Sequence, residues 1–217
     1  MTDGAVKSEN RLGAAGGTKS ILLVGVGGQG TILASKILSE GLMRAGHDVK
    51  MSEIHGMSQR GGSVTTHVKF GPKVYSPIIN EREADILVAF EKAEAVRWLG
   101  YLRLGGALVV NDYEIHPLSV LTGEAAYPAG VIEMLKAEVP NMIEFDAGRI
   151  ASGLGDVKAQ NVVLLGALIQ GMGLGGIDWE GVLADLVPPK LLDLNVRAFK
   201  AGAARFEGAD TNLKSKA

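Results

Sequence analysis

The sequence contains no cysteine in 217 residues. Thiolates hold conventional iron–sulfur clusters and form disulfides, so any one-electron relay coupled to this chain must use clusters on another polypeptide. Charge of one sign is equally scarce. The 22 basic and 24 acidic side chains leave a formal net charge of −2, dispersed along the chain, which removes the electrostatic footprint of a nucleic-acid binder. No apolar run reaches the ~18 residues that a membrane span needs. The opening stretch, Met1 to Lys19, is rich in Gly and Ala and has no long apolar segment of the secretory kind, so residues 1–18 read as a disordered tail and the protein as cytoplasmic. Metal spacing is missing as well: His47, His55, His67 and His116 match no zinc pattern, and no metal site is expected.

What the chain does have is 47% hydrophobic content, enough for one sizeable core, and a single α/β domain over residues 19–206 is the expectation at this length. That domain is organised around Ile21 to Phe70. Ile21-Leu22-Leu23-Val24 is continuously apolar and branched, the pattern of a buried parallel strand, and it ends at Gly25-Val26-Gly27-Gly28-Gln29-Gly30. Thr31 to Met43 carries a helical stripe, with Gly46 near its stop. Gly25, Gly27 and Gly30 fit the G-x-G-x-x-G pattern of phosphate-binding turns, in which backbone N–H groups at a helix start meet an anion. The same glycines also serve a loop that only packs its helix closely on the sheet, and the residues alone leave both readings open. Gly25, Gly27, Gly28, Gln29 and Gly30 are the candidate cofactor-binding residues.

A second strand, Asp48 to Glu53, places Glu53 where a dinucleotide fold has its ribose-binding acid. The chain then departs from that pattern. Glu53-Ile-His-Gly-Met-Ser-Gln-Arg-Gly-Gly-Ser63 is a polar, glycine-closed loop with no core-forming period, the composition of a site or an interface. His55 and Arg60 are the candidate catalytic side chains, and Glu53, His55, Ser58, Gln59, Arg60, Gly61 and Gly62 the candidate interface or composite site.

Taken together, the glycine loop and this second loop resemble the gamma-type domain of the thiamine-dependent 2-oxoacid:ferredoxin oxidoreductases, with the Glu-Ile-His-Gly-Met-Ser-Gln-Arg-Gly-Gly form resembling the small subunit of the indolepyruvate branch. The resemblance covers Lys19 to Phe206. It implies a subunit that is inactive alone, a larger alpha subunit carrying thiamine diphosphate, Mg and iron–sulfur clusters, and ferredoxin as the acceptor reached through that complex. It implies coenzyme A as the one cofactor this chain itself would touch, in oxidative decarboxylation of an arylpyruvate to its acyl-CoA. Consistent with that division, Gly155-Asp156-Val157 fails the Gly-Asp-Gly start of a thiamine diphosphate signature. Two other classes stay open: a stand-alone nicotinamide- or flavin-dependent dehydrogenase using Gly25 to Gly30, and a scaffold module whose loops make only protein contacts.

The remaining pattern predicts a Rossmann-like open sheet, mostly parallel, with helices on both faces and an edge hairpin. Val64 to Phe70 alternates as a half-buried strand with His67 toward solvent, and Gly71-Pro72-Lys73 reads as a turn into a second arm, Val74 to Ser76. Further strands are expected at 84–90, 107–110 and 141–145, with Arg103 to Gly106 as a turn. Helices are expected at 91–101, 129–139, 161–172, 179–186 and 189–206, with residues 207–217 frayed. Glu91 and Lys92 read as solvated charges at a helix start, and Asn111, at the carboxyl end of a strand, as a further site candidate.

Overall fold

The computed structural model describes residues 17–55 and 61–214, with side chains described through residue 206. Six strands form one sheet in the order β2-β3-β1-β4-β5-β6, where β1 is Lys19–Val26, β2 Asp48–His55, β3 Ser63–Gly71, β4 Ala84–Ala89, β5 Leu102–Asn111 and β6 Met142–Phe145. β1, β4, β5 and β6 run parallel, and β3 pairs antiparallel with both β1 and β2. The parallel strands are apolar on both sides because helices cover both faces. On one face Ile21, Leu23, Ile86, Val88 and Val109 pack under α1 (Thr31–Arg44), α5 (Ala147–Leu154), α6 (Gln160–Gly171), α7 (Trp179–Leu186) and α8 (Pro189–Lys214). On the other, Leu22, Val24, Leu87, Leu108 and Val110 pack under α2 (Lys92–Trp98) and α4 (Val131–Glu138). No helix among the described residues is long and apolar enough to cross a membrane.

The nearly uniform apolar character of α6 follows from its position between the sheet and α8. The two helices meet at glycines: a Cβ on Gly166 would stand 2.0 Å from the Phe199 carbonyl oxygen, and one on Gly202 1.8 Å from that of Val163. Only residues without a side chain let the backbones approach this closely. Asp178 caps α7 through its carboxylate, which accepts from Gly181 N–H at 3.0 Å, and Pro189 opens α8 as N1 chemistry favours.

Several expectations are corrected. The edge hairpin is β2–β3, closed by the polar loop itself, whereas Val74 to Ser76 forms no strand. Arg103 to Gly106 lies within β5 rather than in a turn; the chain bulges between Leu102 and Ala107 against only Ala84 to Ile86 of β4, and Gly105 takes φ +72 there. Asp146 opens a helix, α5, that the sequence pattern did not announce, its carboxylate accepting from Arg149 N–H at 2.7 Å. A short helix, α3 (Leu118–Leu121), interrupts the long connection after β5, and α8 continues to Lys214 past the expected frayed end at Glu207. Glu91 is not solvated: it is 1% exposed, caps α2, and accepts from Glu94 N–H at 2.9 Å, Ile115 N–H at 3.2 Å and the Tyr127 hydroxyl. Three donors replace the water a buried carboxylate loses. Lys92 is engaged by Asp112 at 3.1 Å and Glu114 at 2.6 Å.

His67 is likewise buried, 4% exposed, because the segment after β3 folds back over it and Ile79 N–H donates to its Nδ1 at 3.0 Å. Burial, followed by the nearby Lys69 charge, pushes its pKa below the ordinary imidazole value. The unfolded chain therefore takes up a proton that the folded chain refuses, so stability is complete above about pH 6.5 and falls as pH drops below it, by at most ~1.4 kcal/mol per pH unit for one proton. Urea denaturation between pH 7.5 and 5.5 should show this decline, and His67→Gln, which keeps an acceptor for Ile79, should flatten it. An unchanged slope in the mutant would assign the decline to other groups.

Candidate functional site

β1 delivers the glycine loop to the carboxyl edge of the sheet, and a clamp holds it there. Gln29, 6% exposed, accepts from Val26 N–H at 2.8 Å through Oε1 and donates from Nε2 to the Phe90 carbonyl at 2.7 Å. The same carbonyl accepts from Asn111 Nδ2 at 3.1 Å, while Asn111 Oδ1 accepts from Ala147 N–H at 2.9 Å at the start of α5. One oxygen just beyond β4 thus joins the ends of β1, β4 and β5. Gln29 and Asn111, both candidates for ligand contact, spend their polar atoms inside the fold.

The glycines divide by role. A Cβ on Gly25 would meet Gln29 Oε1 at 2.9 Å and Phe90 Cβ at 3.0 Å, so this position serves packing. Gly30 caps α1 in the left-handed region at φ 78, with Asn161 Nδ2 donating to its carbonyl at 3.1 Å and leaving 2.6 Å for any Cβ. Gly27 donates its N–H to the Gly62 carbonyl at 2.9 Å and so ties the glycine loop to the end of the polar loop. Gly28 stands apart: its φ is +103, and a Cβ there would meet nothing within 4 Å. It borders a cavity of about 390 Å³ lined also by Gly27, Gly30, Thr31, Ile32, His55 and Val64.

The first helical hydrogen bond of α1 runs from Ala34 N–H to the Gly30 carbonyl at 3.1 Å. The N–H groups of Gly28, Gly30 and the residues that open the helix have no acceptor among the described residues, and they carry the positive end of the helix dipole. This is anion chemistry. Across the cavity His55 is exposed at the end of β2. Glu53, on the same side of β2, has a buried Oε1 with no hydrogen-bond partner among the described residues.

The dinucleotide reading loses its acid here. β3 is inserted between β1 and β2, so Glu53 lies opposite Thr66 and two strand spacings, about 10 Å, from β1. The cause is the polar loop, which closes a hairpin where a dinucleotide fold would continue into a crossover helix. Ser58, Gln59 and Arg60 lie outside the described residues. Gly61 takes φ +77, and Ser63, where β3 begins, donates to Glu94, a carboxylate 5% exposed that also holds Trp98 Nε1 at 3.2 Å.

The fold agrees with comparison to known proteins. Residues 20–205 match the family described as pyruvate ferredoxin/flavodoxin oxidoreductase. The chain belongs to the pyruvate ferredoxin/flavodoxin oxidoreductase family. Among its relatives, "Indolepyruvate oxidoreductase subunit IorB" of Thermococcus kodakarensis is 41% identical over 189 residues, covering 84% of this chain and 93% of that protein. The protein of the same name in Archaeoglobus fulgidus is 40% identical over 187 residues, covering 84% and 92%. The keto/oxoacid ferredoxin oxidoreductase gamma subunit of Geobacter sulfurreducens shares the fold, with a TM-score of 0.65 at 24% identity over 88% of this chain and 99% of that one. Family membership gives the two linked loops a common setting, that of a subunit of an oxidoreductase complex.

Thr31, Ile32, Val64 and Asn161 join the site without having been singled out in sequence. Thr31 and Ile32 follow directly on the glycines and were reachable as the first helical turn; Asn161 arrives from 131 residues away with no local signal. Gln29→Leu would leave Val26 N–H unmatched in a buried setting, at about 1–3 kcal/mol, and would leave the Phe90 carbonyl with Asn111 alone. We expect a loss of about 2–4 kcal/mol in urea denaturation, larger than for substitution at exposed His55.

Proposed function

We propose that this chain is the small subunit of an indolepyruvate:ferredoxin oxidoreductase and that its glycine-loop cavity receives the phosphate end of coenzyme A. The observation that carries this is the Gly28–Thr31 corner: Gly28, Gly30 and Thr31 N–H groups without an acceptor among the described residues, a left-handed glycine whose missing side chain leaves open space, and a cavity beside them. At about 390 Å³ the cavity suits a phosphate and the adjoining part of its carrier. The orphaned Glu53 oxygen asks for a neutral donor, and coenzyme A brings amide and hydroxyl donors along its arm. A phosphate at the helix start and a donor at the β2 end agree with the charges present.

In this reading the large alpha subunit holds thiamine diphosphate, Mg and the iron–sulfur clusters, which supply decarboxylation of the oxoacid and electron transfer to ferredoxin in the cytoplasm. The small subunit binds and orients. Its backbone amides meet the anion, the Gln29 clamp keeps them aimed, and Gly27 N–H ties that corner to Gly62, two residues after Arg60 in the sequence. The guanidinium fork suits a carboxylate or phosphate in two-point geometry.

Reconstitution tests the proposal. The isolated chain should not turn over indolepyruvate, while the chain assembled with its large subunit should do so with coenzyme A and a viologen dye. Gly28→Ala places a Cβ in the cavity at a strained φ, and should raise KM for coenzyme A more than KM for the oxoacid. Arg60→Lys keeps the charge without the fork and should impair assembly or kcat/KM by at least roughly tenfold, about 1.4 kcal/mol. Turnover by the chain alone, or wild-type coenzyme A dependence in a well-assembled Gly28→Ala enzyme, would contradict it.

A further inference from the structure

The glycine corner does not use the opposite face of β2 and β3. There the sheet has no helix over it; the segment between β3 and β4 lies against it instead, and a cavity of about 490 Å³ opens among Ile54, His67, Ile78, Ile79, Trp98 and Tyr101. Its walls are mainly apolar and aromatic, with Asn80 and Glu81 at the exposed rim. Ile54 and Ile78 are 51% and 46% exposed, and the Trp98 and Tyr101 rings meet at 5.0 Å, tilted by 58°. Trp98 is held rigid, since its Nε1 donates to Ser63 Oγ at 3.3 Å and Glu94 Oε2 at 3.2 Å.

One of the polar lining residues, His67, is buried. His67 Nδ1 accepts from Ile79 N–H, which puts the imidazole proton on Nε2. Nε2 has no hydrogen-bond partner among the described residues, and His67, 4% exposed, lines the cavity. A buried ring that spends one nitrogen on the backbone and offers the other to an apolar cavity is a single, aimed donor. An anion is disfavoured there. Glu81 stands on the rim, Lys69 is paired with Glu83 at 3.5 Å, and a neutral imidazole cannot compensate a desolvated carboxylate.

We propose that this cavity binds a small, neutral, planar aromatic molecule carrying one carbonyl-type acceptor, its ring against Trp98 and Tyr101 and its oxygen on His67 Nε2–H. The test uses 2-acetylnaphthalene as probe, titrated by calorimetry into the full chain and into the chain assembled with its large subunit. One-site saturable binding is expected in both, with a shift of the His67 Nε2 resonance in ¹⁵N spectra. 2-Ethylnaphthalene, which lacks the acceptor, and 2-naphthoate, which is charged, should bind at least about tenfold more weakly. Ile78→Lys alters an exposed rim position and should abolish binding in a folded chain, while leaving KM for coenzyme A unchanged. Absent saturation, equal affinity for 2-ethylnaphthalene, or retained binding in Ile78→Lys would overturn the proposal. Binding to the free chain that disappears on assembly would also overturn it, and would make the cavity a subunit contact.

Discussion

The carbonyl oxygen of Phe90 is the point on which the functional edge of this protein depends. It accepts from Gln29 and from Asn111, so a single acceptor at the end of β4 fixes the loop after β1 and the end of β5, and through Asn111 the start of α5. In a parallel sheet the loops at the carboxyl edge share no ladder, and each would otherwise hold its own conformation. Here amide side chains bind them into one buried network, in which every bond is stronger for being out of water and costlier to leave unmade. The network holds the glycine loop in one conformation without a ligand, which is the condition for backbone amides to act as a preorganised anion cradle.

The insertion of β3 gives this sheet a chemistry different from that of a dinucleotide fold. It moves Glu53 away from β1 and brings the end of the polar loop to the glycine loop, where Gly27 N–H meets the Gly62 carbonyl and Ser63 meets Glu94 on α2. The loop is therefore anchored at its β3 end from two elements. A pattern that resembles a nucleotide fingerprint in one dimension becomes, in three, a glycine loop tied to the end of a hairpin.

Most elements were legible because each carries its period on its face: the continuous apolar strands β1 and β4, the striped α1, the all-apolar α6. Cap chemistry at Asp178 and the Pro188-Pro189 break were equally local. What escaped the sequence was everything decided by distant neighbours. Alternation along β3 correctly sorts Val68 and Phe70 from His67, yet it cannot tell solvent from the covering segment that brings Ile79 to His67. Glu91 looked like a charge at a helix start because its donors, Ile115 and Tyr127, lie more than twenty residues on. For the site, the glycines and His55 were visible in their pattern, whereas the difference between packing Gly25 and open Gly28 depends on Phe90 and on empty space.

The central claim is that the N–H groups from Gly28 to the first turn of α1 face an anion in the working enzyme. Amide hydrogen exchange of the assembled complex, with and without coenzyme A, measures this directly. Protection confined to the peptide spanning Gly28 to Leu33, and weakened with dephospho-coenzyme A, is the predicted result. Unchanged exchange across that peptide at saturating coenzyme A would show that the glycine loop only packs a helix on a sheet.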